Sequence, residues 1–138
     1  VNLLSKLDYD VHAITGNSEE KDILLRMGAE KVINRDEFMQ DPVKPLDKGI
    51  YAGGVDTVGG DMLAKMISLI TNHGAVACCG NVGGTKFTSS VFPFILRGVS
   101  LIGIDSAESE LEFKKDIWNL FAGDWSLDLH DYTRILSL

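Results

Sequence analysis

Short apolar segments alternate with helix-patterned ones along nearly the whole chain, and this alternation narrows the possible folds more than any other feature. Residues 10–15, 31–34, 51–58, 75–79 and 100–105 have the length and composition of strands. Between them, Ile23, Leu24 and Met27 share a helical face ahead of Gly28, and Met62, Leu63, Met66, Ile67 and Ile70 share another ahead of Asn72-His73-Gly74. Residues 35–38 read as one helical turn, with Ser18 expected to cap the helix before them. A short helix is expected near Pro93 and a longer one over 108–121, where Phe113, Ile117 and Phe121 recur at spacing four. Strands that alternate with helices are joined by crossovers and pair in parallel. The expected fold is therefore α/β, a doubly wound parallel sheet with helices on both faces.

Composition then excludes partners. The 138 residues suffice for one domain with a core. Thirteen Lys and Arg face 20 Asp and Glu, a net charge of −7, so no overall field draws a phosphate backbone or an anionic membrane. The two cysteines, Cys78 and Cys79, are adjacent and cannot staple distant segments. In a strand they should point to opposite faces, and Cys79 reads as a packing residue. With His12, His73 and His130 they make no paired CxxC and no HExxH, so no metal site and a reducing, cytoplasmic setting are expected. No apolar run reaches the roughly 18 residues of a membrane span.

In doubly wound sheets ligands bind beyond the carboxyl ends of strands, here Thr15-Gly16-Asn17, Asp56-Thr57-Val58-Gly59, Gly80-Asn81 and Asp105-Ser106. A dinucleotide site also uses a glycine loop for the pyrophosphate, and no GxGxxG occurs. The position after the strand that reads the ribose is more informative. An acid there would accept from a 2′-hydroxyl and repel a 2′-phosphate; Thr15-Gly16-Asn17 has no acid and offers three donors, with Lys31 as a candidate cation. This favours NADP(H) over NAD(H), against the plainer reading of the trio as a turn capping the next helix. Asp56 reads as a hydrogen-bonding residue, His12 and His73 carry no assigned chemistry, and Met62 and Met66 read as core. Phe92, Phe94 and Ile95 are candidates to wall a flat ring or to pack inside.

Five segments carry a family resemblance: Ala13-Ile14-Thr15-Gly16-Asn17, Leu25-Arg26-Met27-Gly28-Ala29, Ile33-Asn34-Arg35-Asp36-Glu37, Val55-Asp56-Thr57-Val58-Gly59-Gly60, and the run from Pro93-Phe94-Ile95-Leu96-Arg97-Gly98 through Val99-Ser100-Leu101-Ile102-Gly103 to Ile104-Asp105-Ser106. The order resembles the Rossmann-type cofactor domain of zinc-independent medium-chain dehydrogenase/reductases, in the quinone oxidoreductase branch that includes acryloyl-CoA reductases. The resemblance implies that Thr15, Gly16 and Asn17 hold the adenosine 2′-phosphate with Lys31 as the basic residue, and that Asn81, Ile95 and Ser106 contact the cofactor further along. Asn17 stands where some members carry Arg, which lacks a counterpart in charge and fork here.

The implied reaction is hydride transfer from NADPH to an electron-poor carbon conjugated to a carbonyl, in a quinone or an enoyl or acryloyl thioester. Residues 1–138 would form a partial NADP(H)-binding domain, opening inside the first crossover helix and lacking the first strand, the glycine-rich loop and the catalytic domain. No catalytic residue is assigned, and the fragment alone is expected to be inactive. A missing central strand would leave two bare strand edges that invite association or rearrangement. The expected partners are a small-molecule substrate and, in the parent protein, a second copy as a homodimer. The competing reading is a non-catalytic nucleotide-sensing module; a methyl-donor-dependent transferase is disfavoured by the missing acid after the strand at Thr15.

Overall fold

A computed structural model describes residues 1–133 and Leu136, which fall into two compact units, residues 1–38 with the described residues from 109 onward, and residues 39–108. In the first unit the order is α1 (Asn2–Lys6), β1 (His12–Thr15), a 3-10 turn (Ser18–Glu20), α2 (Lys21–Arg26), β2 (Lys31–Asn34) and α3 (Arg35–Phe38), with α6 (Leu111–Ala122) completing it. Strands β1 and β2 pair in parallel, His12 opposite Lys31 and Thr15 opposite Asn34. Ala13, Ala29 and Ile33 are buried there. Gly28 ends the α2 region with φ +97°, where a Cβ would stand 2.2 Å from Ser5 Oγ. Both the left-handed backbone and this close approach call for glycine. The side-chain cap falls on the 3-10 turn and comes from Asn17, not Ser18: its Oδ1 accepts from the Glu19 N–H at 3.1 Å, while α2 itself follows Glu20 without a side-chain cap. Along α6 no residue is buried, although Trp118, Phe121 and Trp125 form a chain of ring contacts.

The second unit contains β3 (Tyr51–Asp56), α4 (Gly60–Ser68), β4 (Ile70–Cys78), α5 (Phe92–Arg97) and β5 (Ser100–Gly103). Its sheet is parallel throughout, in the order β3-β4-β5. Leu63 and Ile67 from α4, Ile70 and Val76 from β4, and Val99 make the core, with Tyr51, Met66 and Phe94 packed against it. Met62 is buried as well. The core reading of both methionines therefore holds, and Phe94 packs inside. Pro93 lies in the first turn of α5, where its missing N–H costs nothing, and Gly98 closes that helix at φ +62°.

One helix boundary differs from the sequence reading. Ile70 does not continue α4; it opens β4 opposite Tyr51, wholly buried. The next ladder pair is Gly53 with Ala75, so 71–74 bulges from the ladder, and this bulge contains the segment expected to stop the helix. His73 there has φ +62°, and Gly74 lies against Ala52, whose carbonyl oxygen would be 2.3 Å from a Cβ. A short apolar run satisfies helix and strand patterns alike, and here burial beside β3 decides.

Among the described residues β1 pairs only with β2 and β3 only with β4, so each keeps one unpaired edge within its own unit. No helix among them is long and apolar enough to cross a membrane.

Candidate functional site

The carboxyl end of β1 is built by local hydrogen bonding. Thr15 Oγ1 accepts the Asn17 N–H at 3.1 Å, and Asn17 uses its Oδ1 on Glu19 while its Nδ2 stands 3.5 Å from Glu20 Oε1. The turn-and-cap reading of this trio is therefore realised in full. Its location nonetheless suits an anion: Thr15 is half-buried, and Gly16 and Asn17 are exposed where the two-stranded sheet ends.

The cation at this end is Arg35. It follows Asn34, the register partner of Thr15, and its guanidinium lies over Gly16, where a built Cβ would meet Arg35 Cζ at 3.0 Å. Among the described residues its side chain makes no ion pair or hydrogen bond. Lys31, the cation chosen from the sequence, starts β2 opposite His12 and lies at the other end of the ladder. Three residue steps along the strand separate it from Asn34, roughly 10 Å at the usual rise per residue. Sequence reading missed Arg35 because its place beside Gly16 comes from the register; the signal available was its position immediately after β2.

In the second unit a cavity of about 480 Å³ opens at the carboxyl ends of β4 and β5, lined by Cys78, Cys79, Gly80, Asn81, Gly103, Ile104 and Asp105. Asn81 lines it directly. Ser106 follows Asp105 in a turn whose Ala107 and Glu108 N–H groups donate to Asp105 Oδ1. Ile95 is exposed on α5 and is not part of the lining, so the structure does not bring these three predicted residues together in one wall.

Glycine packing holds the floor of this cavity close to the end of β3. A Cβ on Gly80 would lie 1.9 Å from the Thr57 carbonyl oxygen, and one on Gly59 would lie 2.6 Å from that of Gly84. Asp56 anchors the same corner: buried, it accepts the Gly59 N–H at 2.9 Å and the Val58 N–H at 3.3 Å. This agrees with its expected hydrogen-bonding role and explains why β3 stops there. Cys79 is exposed, contrary to the packing role read from the apolar run, because β4 ends at Cys78. Burial, with the Asp56 charge beside it, raises the Cys78 thiol pKa.

Comparison with known proteins decides the family. Residues 1–122 match the family described as zinc-binding dehydrogenase. The chain belongs to that family. It is 42% identical over 128 residues to "Putative quinone oxidoreductase YhfP" of Bacillus subtilis, covering 93% of this chain and 39% of the relative. It is 39% identical over 126 residues to "Acrylyl-CoA reductase AcuI" of Ruegeria pomeroyi, covering 91% and 38%. Among solved structures, Escherichia coli K-12 YhdH with bound NADPH superposes with a TM-score of 0.84 at 40% identity, and Bacillus subtilis yhfP with NAD bound with 0.86 at 42%. These cover 91% of this chain and 38% of each structure's chain. The chain thus spans under two fifths of its relatives' length, and the resemblance read from its segments lies in the right branch. Among the described residues no three of His, Cys, Asp and Glu gather as a metal site.

Proposed function

We propose that this chain is the cofactor-binding part of an NADPH-dependent oxidoreductase that passes hydride to an electron-poor conjugated acceptor, a quinone or an enoyl or acryloyl thioester. The observation that carries the cofactor choice is the Arg35 guanidinium over Gly16 at a strand end without an acid in the Thr15-Gly16-Asn17 turn. A guanidinium there pairs with a 2′-phosphate by charge-assisted, bidentate hydrogen bonds and gains far less from a neutral 2′-hydroxyl. Thr15 and Asn17 shape the turn that holds Gly16 in place, and the Gly16 backbone stays open to the phosphate.

Beyond β4, the glycine-packed floor and Asn81 offer backbone and amide groups toward the nicotinamide end, with Ile95 and Ser106 as further contacts. When bound, the nicotinamide supplies the hydride, and this chain's residues orient and hold it. The catalytic domain and any catalytic residue lie outside these 138 positions on this reading. The relatives' names support the acceptor class: one is named a quinone oxidoreductase and one an acrylyl-CoA reductase. The free edge of β5, with Leu101 and Ile102 exposed on it, supports pairing with a second copy in the parent protein.

The test is titration of the parent protein with NADPH and NADH, followed by turnover with acryloyl-CoA and with small quinones. Tighter NADPH binding and oxidation of NADPH by at least one acceptor class support the reading. Equal affinity for the two nucleotides overturns the phosphate assignment, and no turnover with either class overturns the acceptor assignment.

A further inference from the structure

We propose that Cys78 and Cys79 form a dithiol oxidation site in the wall of the cavity beyond β4, closing to a vicinal disulfide that hinders occupation of that cavity. Neighbouring side chains of a regular strand diverge to opposite faces. Here the strand ends between them, and both thiols turn to one residue of β3. Cys78 Sγ lies 3.6 Å from Asp56 Oδ2, and Cys79 Sγ lies 3.5 Å from the Asp56 carbonyl oxygen. Both line the same cavity, and both are free thiols.

The two sulfurs differ in a way that orders the chemistry. Cys79 is exposed and is the one a hydroperoxide reaches. Its thiolate attacks the peroxide oxygen; the O–O bond breaks, an alcohol or water leaves, and Cys79 becomes a sulfenic acid. Cys78, less exposed and beside Asp56, then attacks the Cys79 sulfur. An S–S bond forms, the S–O bond breaks and a second water departs, the two thiols having supplied the two electrons that reduced the peroxide.

The product would be a switch and not a staple. Consecutive Cα atoms are about 3.8 Å apart across a trans peptide, shorter than the roughly 4.4–6.8 Å that relaxed disulfides span. The bond is therefore strained and readily reduced by a cellular dithiol. Its formation must move the Cys79 peptide, whose N–H donates to the Asp56 carbonyl at 2.9 Å, and with it the adjoining Gly80-Asn81 wall. The effect on nucleotide binding rests on the functional reading above; the thiol chemistry does not.

The experiment treats the chain with hydrogen peroxide and maps its peptides by mass spectrometry, with circular dichroism as the folding check on each variant. Expected is a loss of two hydrogens on the single peptide bearing both cysteines, reversed by dithiothreitol, while Cys78→Ser accumulates a dimedone-reactive sulfenic acid at Cys79. Oxidation that stops at a Cys79 sulfinic acid, or joins Cys79 of two chains while Cys78 stays reduced, overturns the proposal. NADPH titration of the parent protein should weaken about tenfold on oxidation and recover on reduction. Equal binding by both forms overturns the control of the cavity. Failure of the reduced form to bind NADPH at all counts against the nucleotide reading, and the peptide map still decides the disulfide.

Discussion

The Arg35 guanidinium covers Gly16 so closely that a Cβ on Gly16 would stand 3.0 Å from Cζ and 3.1 and 3.3 Å from the two terminal nitrogens. The neighbour is the far end of a flexible side chain and Gly16 is absent from the positive-φ glycines, so the approach places Arg35 over the turn without by itself requiring glycine. The pair joins the turn after β1 to the first residue after β2, and it concentrates one positive charge at a strand end that otherwise uses its polar groups internally.

Arg35→Ala is expected to weaken NADPH binding about tenfold or more, the usual worth of a hydrogen bond to a charged group. NADH binding should change little. Lys31→Ala at the far end of β2 should leave both unchanged. Calorimetric titration of the parent protein and its variants checks this, and a larger effect from Lys31 than from Arg35 would reverse the assignment.

The fold class, β2 and α3 were legible in the sequence because turn residues and apolar runs there agree on a single period. Ile70 was not, because one buried isoleucine fits the helical stripe of α4 as well as the start of a strand, and only its place beside Tyr51 separates the two. The trio at Thr15 was legible as a strand end from the residues that follow the apolar run. The cation beside it was not, because register is a pairing between strands: Thr15 faces Asn34, which brings Arg35 to that end and leaves Lys31 at the other. Cys79 was read as packed because the apolar run includes it, whereas the ladder ends one residue earlier. Ile95 carried a contact expectation from its aromatic neighbours and from the resemblance, and α5 leaves it exposed outside the cavity lining.

Glycine packing around the cavity floor predicts sharply different costs for one added methyl. A Cβ on Gly80 would press into the Thr57 carbonyl at 1.9 Å, and that obstacle is backbone that cannot swing aside. Gly80→Ala should therefore destabilise by about 2–4 kcal/mol. Gly103 has nothing within 4 Å of a built Cβ, so Gly103→Ala should stay within about 0.5 kcal/mol of the parent. Urea unfolding of the two variants checks the contrast.

Arg97 gathers three backbone carbonyls, donating from Nη1 to Ser68 at 3.1 Å and Ile70 at 2.9 Å, and from Nη2 to Asp47. It thereby ties the loop before β3 to the junction of α4 and β4. Arg97→Met keeps the aliphatic stem but removes every donor, and should cost about 2 kcal/mol, with Arg97→Lys recovering only part because an ammonium lacks the planar fork. Hydrogen exchange should show faster opening around 47–51 in the Met variant; unchanged exchange there would mean that water replaces the guanidinium without loss.

The loop that Arg97 holds also contains the carboxylate that links stability to pH. The Lys48 backbone N–H donates to Asp47 Oδ1 at 2.8 Å, and Lys44 Nζ stands 3.3 Å away, with Lys65 Nζ 3.9 Å from the other oxygen. The backbone hydrogen bond, followed by the lysine charges, outweighs burial and holds the Asp47 pKa below its ordinary value of 3.8. The folded chain thus binds this proton less readily than the unfolded chain does. The stability Asp47 contributes is complete above the unfolded value and is lost as pH falls through the folded one. Asp47→Asn keeps an acceptor for Lys48 but cannot titrate, so it should be less stable than the parent at neutral pH, and the difference should shrink between about pH 5 and about pH 3. Thermal melts across that range measure the difference directly; a gap that stays constant into acid would show that the lysines and the Lys48 amide do not favour the charged form.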